Sequence, residues 1–341
     1  MKDKTFIYRL YTRVWIFTSL VILCSVFLIN YLIDPLWYNN GNKLSKINYA
    51  YNERISKLNH FLNNKEDFDC LVFGSSVSIV FDTNLIKDSS CYNFSVSAGG
   101  LIEYIEYLKY LKWLNYEPNK IYTEINFGFV QPDGNLSRLP DFVVKKELPK
   151  TILESYIGAS SLVFSVKSLF GLSPYQHFYD ENIVAHTRKE LTNEFNPSIK
   201  DLYKLPAEPP STSIIDYYKE LVSIFPNSDQ IGYVYPASPW DTSRYLMHGY
   251  LDTNLEIISN LSSVFDDLYD FSYPTPLITD KDSTYDGSHF YEHVFEEIAN
   301  TLNNKKGVVG YRVINGETYK NDYKNKIQEF IDSIQNDPVK N

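Results

Sequence analysis

Apolar and polar residues follow three different rhythms along this chain. Residues 14–33 form one uncharged apolar run. As a helix rising 1.5 Å per residue, a run of this length covers the roughly 30 Å of a bilayer's hydrocarbon layer, which predicts one N-terminal transmembrane helix. Beyond it come short apolar runs of strand length at 69–73, 91–96, 120–127 and 231–235, with a sparser one at 268–271. Longer stretches of helical period lie between them. Leu101, Ile105, Leu108 and Leu111 share one face over residues 101–114, 214–224 is a second amphipathic helix, and 291–302 is a third. Strands alternating with helices predict an α/β fold, a parallel sheet of about five strands covered on both faces.

The same pattern divides the chain. Residues 34–66 are polar and read as a stalk leading into a helix near 49–62; the alternating domain occupies 67–304; a tail, 305–341, carries a charged helix near 321–334. Between the third and fourth strands lies a helical insertion, about 130–212, longer than a crossover helix needs. Within it, 152–172 predicts a helix whose apolar patch is flanked by Glu154 and Lys167, which argues against a second span, and 202–212, with three prolines, predicts an extended linker. The insertion is either a lid or acceptor-binding surface, or a set of helices packed on the sheet edge.

Composition and charge refine this. The chain has 341 residues, of which 44% are hydrophobic and 16% aromatic, enough to bury a core and too apolar for disorder. Lys2, Lys4, Arg9 and Arg13 precede the apolar run against Asp3 alone, whereas Asp34 follows it and the next cation is Lys43. Positive charge stays in the cytoplasm, so residues 1–13 are expected inside and everything after residue 34 in the periplasm or outside the cell, on a single-pass protein of the cytoplasmic membrane. The run is long for a cleaved signal peptide and no small-residue cleavage site follows it; Leu23 before Cys24 argues against a lipoprotein. A net charge of -10 without a basic cluster past the N-terminus excludes nucleic acid, and an anionic polymer held by charge alone. Cys70 and Cys91 open two neighbouring strands, where a bridge and two buried thiols both fit.

Two motifs carry candidate chemistry. FGSSVS at 73–78 puts serines straight after a strand and a glycine, and YDGSHF at 285–290 puts Asp286 and His289 three residues apart, on one face of a helical turn. A serine hydroxyl needs an imidazole to take its proton, and the imidazole needs a carboxylate to set its tautomer. Ser76 is the expected nucleophile and adjacent Ser75 the alternative; Ser76 could instead cap the following helix. Acyl transfer also needs oxyanion donors. The small-residue turn after the second strand, with Ser95, and Asn126 at the end of the third are the candidates. Ser75, Ser238 and Trp240 are candidates for the substrate side, the last two in the PASPW segment after the fourth strand, which would also serve as a plain packed turn. His293, one turn past His289, lacks a third ligand at metal spacing.

In this order the motifs resemble the SGNH (GDSL-like) hydrolase superfamily, whose members carry four blocks around a serine, a glycine, an asparagine and a histidine. Gly74-Ser75-Ser76 resembles the first block, with Ser75 where many members have aspartate. Asn93 to Ser97 resembles the second, with Ser95 in place of glycine; Asn126 matches the third, whose flanks Glu124 and Phe127 depart from the family; Asp286-Gly287-Ser288-His289 matches the last. The layout is similar to membrane-anchored GSS-motif members and to exported proteins that handle acyl groups on alginate and teichoic acids. The resemblance implies a three-layer α/β/α, flavodoxin-like fold and no metal or cofactor. It further implies a membrane-anchored serine esterase or O-acyltransferase working on acetyl or similar groups of a cell-envelope polysaccharide or glycolipid, through an acyl-serine, with Ser76, Asp286 and His289 catalytic and Ser95 and Asn126 at the oxyanion. A membrane acyl-exporting protein is then the expected partner of a transferase. The departures at Ser95 and in the third block leave a second expectation, a catalytically inactive module that binds polysaccharide or scaffolds an assembly complex.

Overall fold

The computed structural model describes residues 2–126, 138–205 and 211–336. Its elements in chain order are α1 (Lys2–Ile33), β1 (Asn48–Tyr49), α2 (Glu53–Asn64), β2 (Cys70–Phe73), β3 (Cys91–Asn93), α3 (Leu101–Trp113), β4 (Lys120–Ile125), α4 (Asp141–Lys145), α5 (Ile152–Ile157), α6 (Ala159–Leu169), β5 (His177–Tyr179), β6 (Ala185–Thr187), α7 (Ile214–Ile224), β7 (Asp229–Val234), α8 (Pro239–Met247), α9 (Leu251–Leu261), β8 (Asp267–Asp270), α10 (Pro276–Thr279), α11 (Glu292–Asn304), β9 (Tyr311–Arg312) and α12 (Gly316–Gln335). They form two compact units. One comprises Met1–Asn63 with Leu148–Ile183, the other Asn64–Glu147 with Val184–Asn341.

The second unit holds a six-stranded sheet in the order β3-β2-β4-β7-β8-β9, parallel except for β9, which pairs antiparallel with β8. All four residues of β2 are buried, as expected for a central parallel strand with both faces covered. Its side chains alternate between two cores. Cys70 and Val72 join Tyr122, Ile231, Tyr233 and Tyr269 against Val294, Phe295 and Ile298 of α11. On the opposite face Phe73 stacks on Phe94 at 5.4 Å and meets Tyr104 of α3 at 5.7 Å. Each such aromatic contributes about 1.5–3 kcal/mol through burial. The parallel strands thus run second, first, third, fourth, fifth. Order reverses at β2, so the crevice beyond the carboxyl ends of β2 and β4 is where such sheets hold ligands. The antiparallel edge strand β9 and the helices α8 and α9 between the fourth and fifth parallel strands are additions to the sequence reading.

Cys70 and Cys91 are register partners across β2 and β3, with Cα atoms 4.2 Å apart, and their sulfurs are bonded. Of the two alternatives open in the sequence, the fold takes the bridge.

The first unit contains α1, the one helix among the described residues long and apolar enough to cross a membrane. In it β1 pairs antiparallel with β5, and Glu53 of α2, deeply buried, accepts hydrogen bonds from His177 Nε2 at 2.7 Å and Tyr179 at 2.6 Å. The expected helix over 152–172 is two, α5 and α6, broken where Gly158 is extended (φ -66°, ψ 136°). Residues 148–183 of the insertion belong to this unit and pack α5 and α6 on α1. Phe127, the start of the insertion at 130 and residues 206–210 of the expected linker lie outside the described residues.

Candidate active site

The turn after β2 separates two adjacent serines. Gly74 is required there: a Cβ would meet Ser95 Oγ at 2.6 Å, Ser78 Cβ at 2.7 Å and Glu124 Oε2 at 2.8 Å. Ser75 continues extended (φ -94°, ψ -164°), and Ser76–Ser78 then coil into one 3₁₀ turn, closed by the Ser78 N–H on the Ser75 carbonyl at 3.1 Å. The side chains consequently leave in different directions. Ser75 is 2% exposed and donates its hydroxyl to Glu124 Oε1 at 2.6 Å. Ser76 stays partly open to solvent with its Oγ 2.9 Å from His289 Nε2.

His289 stands on a braced loop, a different setting from the helical turn its spacing predicts. An isolated bridge between Thr284 and Phe290 closes the loop, Thr284 Oγ1 donates to the His289 carbonyl at 2.7 Å, and α11 begins only at Glu292. Asp286 shapes the interior: its Oδ1 accepts the N–H groups of Ser288 (3.0 Å) and His289 (2.8 Å), and its Oδ2 lies 2.7 Å from His289 Nδ1. Burial pushes this carboxyl up, but the His289 ring and the two N–H donors outweigh it and hold Asp286 below its ordinary value. An ionised Asp286 accepts from Nδ1–H, which leaves Nε2 bare to accept from Ser76. Tyr285 stacks on the imidazole at 5.4 Å between centroids. Gly287 takes a positive φ of +91°, where a Cβ would also run into Asp241 and Phe195.

The expected oxyanion donors lie close to this centre but in unequal states. Asn126, just past β4, holds its backbone N–H on Tyr218 (3.1 Å) and directs its side-chain amide to Ser75 Oγ (3.4 Å) and Glu124 Oε1 (3.3 Å), against the nucleophile turn. Ser95 is fully buried and its N–H donates to Asn93 Oδ1 at 2.8 Å, so that donor is already occupied. Ser238 and Trp240 are buried. Ser238 caps α8, accepting from the Trp240 N–H at 3.4 Å, and donates its own N–H to Gly287 at 2.7 Å; Trp240 packs edge-on against Phe330. Ser238 braces the histidine loop and Trp240 packs inward against Phe330, where the sequence suggested substrate contact, and Ser75 likewise faces inward. His293 meets Ser283 at 3.1 Å.

No protein-family model, curated protein or solved structure matches this chain.

Two roles escaped the sequence reading, which met Glu124 only as a departure beside Asn126. Glu124 is fully buried and accepts from the Ser75 N–H (3.0 Å) and hydroxyl, from the Ser78 hydroxyl (2.5 Å) and from Asn126. Burial raises its pKa, and these four hydrogen bonds pull the other way. The signal was a carboxylate among the apolar residues of a strand, which is rarely buried without a purpose. Asp241 has the second. It accepts from Ser288 Oγ at 2.9 Å and pairs with Arg244 at 3.0 Å, beside a cavity of about 230 Å³ that Tyr235, Tyr245, Asn254 and Ser288 help line.

Proposed function

We propose that this protein is a membrane-anchored, SGNH-like serine esterase or O-acyltransferase of the extracytoplasmic face, acting on acetyl or similar acyl groups of a cell-envelope glycan. One observation carries the reading: Ser76 Oγ, His289 and Asp286, joined at 2.9 and 2.7 Å, sit at the carboxyl-end crevice of a parallel sheet. His289 Nε2 takes the Ser76 proton as Oγ attacks the acyl carbonyl. On this reading the Asn126 amide, which rests on Ser75 Oγ and Glu124 Oε1 in the free site, turns to support the oxyanion. Collapse expels the sugar oxygen, which recovers the proton from His289 and leaves an acyl-serine. Water or a second sugar hydroxyl, deprotonated by His289, then attacks that ester and frees Ser76. Water completes an esterase and a sugar completes a transferase, whose acyl donor a membrane partner would deliver.

The placement rests on α1, on the cationic residues preceding its apolar run, and on the Cys70–Cys91 bridge, a pairing that persists in oxidising compartments. Incubating the full-length protein with an activated aryl acetate tests the chemistry. Hydrolysis that falls by about 10³-fold or more in Ser76→Ala is expected; turnover equal in the two proteins would exclude the mechanism. The occupied Ser95 N–H favours one other reading, a glycan-binding module without catalysis. It predicts no turnover in the parent and glycan binding that survives in the Ser76→Ala, His289→Ala double variant.

A further inference from the structure

Helix α6 is built the wrong way round for water. Its buried residues are serines: Ser165 is 0% exposed and Ser161 5%. Its exposed residues are mostly apolar, with Val163 at 51%, Val166 at 41% and Leu169 at 52%, followed by Phe170 at 73% and Leu172; Ser160 and Lys167 are exposed beside them. At 100° per residue, Ser161 and Ser165 lie on one side of the helix, while Val163, Val166 and Phe170 lie on the other. The shorter α5 adds exposed Ile152, Leu153 and Ile157, with the exposed Glu154 among them, its carboxylate accepting from the Thr151 N–H and hydroxyl at the helix start. A helix in water buries its apolar stripe; one in lipid turns that stripe outward and keeps small polar residues for its helix contacts.

What the polar side meets is equally specific. Asn30 is a polar residue near the end of the apolar run of α1, where an unsatisfied amide would be costly. It is fully buried: Nδ2 donates to the Tyr156 carbonyl at 2.7 Å and Oδ1 accepts from Ser165 at 2.9 Å. Phe27 and Tyr31 of α1 close the contact edge-on to the Tyr156 ring at 5.5 and 5.8 Å. The apolar faces of α5 and α6 therefore continue the exposed apolar surface of α1. Lys167, the one charged residue of α6, is long enough to carry its ammonium to the headgroups.

We propose that α5 and α6 form a monotopic element embedded in the outer leaflet beside α1, so that this protein meets the membrane through three helices, only one of which spans it. The occupant of the exposed face is lipid acyl chains. At about 1.5 Å per residue α6 reaches roughly half the hydrocarbon thickness, long enough to sit in one leaflet and too short to cross two. This rests on the reading of α1 as a membrane span. It replaces the choice between a lid and sheet-packed helices for residues 152–172.

Site-directed fluorescence on the full chain, one copy per phosphatidylcholine/phosphatidylglycerol nanodisc, separates the two claims. Cys24 is the one free cysteine among the described residues, so the unaltered protein takes one environment-sensitive label on α1. Cys24→Ser then allows single labels through Val166→Cys, Phe170→Cys and, as an aqueous reference, the exposed position Lys87→Cys. Expected is quenching of the labels at 166 and 170 by lipid carrying a shallow nitroxide at least about twofold above the Lys87 site, with reduced quenching by iodide. Labels at 166 and 170 that iodide quenches as strongly as the reference would overturn the embedding while a lipid-quenched Cys24 label preserves the span. Labels shielded from both quenchers would mean a protein contact and would also overturn it. A Cys24 label unreached by lipid nitroxide would remove the span and the embedding together.

Discussion

At the residue scale, the candidate site turns on which way each small side chain points. Ser75 and Ser76 are adjacent and chemically identical, yet one is held by Glu124 and the other faces His289. Glu124 therefore acts through its neighbours. By gripping Ser75, Ser78 and Asn126 it fixes the turn that carries Ser76, and its replacement should cost rate before binding. For Glu124→Gln we expect kcat on an aryl acetate to fall about 10- to 100-fold with KM nearly unchanged, because an amide cannot accept from every donor around it. Glu124→Ala should in addition lose about 1–3 kcal/mol of stability for each donor left buried and unpaired. Equal kcat in the parent and Glu124→Gln would show that the carboxylate positions nothing. None of this was legible beyond the presence of an acidic residue in an apolar strand, since Glu124 meets Ser75 and Ser78 across separations of 49 and 46 residues.

At the element scale, hydrophobic rhythm placed every strand of the parallel sheet to within a few residues, and α7 over its whole length. It overran β3, where Phe94 to Val96 stay buried past the strand, and it ran past β4 onto the partly buried Asn126; it also fused α5 with α6 across Gly158, whose extended backbone leaves no mark on periodicity. The β2–β3 pair gives its own test. The Cys70–Cys91 bridge closes a separation of 21 residues, which in the chain-entropy account contributes about 3 kcal/mol. Alkylation of the unreduced, denatured protein should modify one of its three cysteines, Cys24, and the reduced protein should unfold at lower denaturant concentration. Three modified thiols would remove the bridge.

At the scale of the whole molecule, the N-terminal unit carries its own response to acid. In the N-terminal unit, burial pulls His60 down to about 4 from 6.5, so its neutral form stabilises the fold above pH 6.5 and that contribution drains away as pH falls toward about 4. Burial pushes Glu53 up, but His177, Lys57 and Tyr179 outweigh it and bring it from 4.5 to about 2; its contribution is present above pH 4.5 and lost as pH falls toward about 2. Each group costs roughly 1.4 kcal/mol per pH unit inside its window. Trp37 meets the His60 ring edge-on at 5.9 Å, so its emission, in a variant with the other tryptophans changed to phenylalanine, reports on this unit. Its thermal midpoint should begin to drop below pH 6.5. A midpoint constant from pH 7 to pH 4 would contradict the buried neutral imidazole.

The sequence by itself determined the properties that neighbours along the chain decide: an apolar run of membrane length, strands alternating with helices, a serine pair straight after a strand and a glycine, and an aspartate three residues before a histidine. Only the tertiary structure decided which serine faces the histidine, 213 residues away, and that Asn93 takes the Ser95 N–H. It also decided that the insertion helices turn serines toward Asn30 and valines outward. Periodicity says that a side has one polarity. Which side is covered, and by what, depends on partners that only the folded chain brings together.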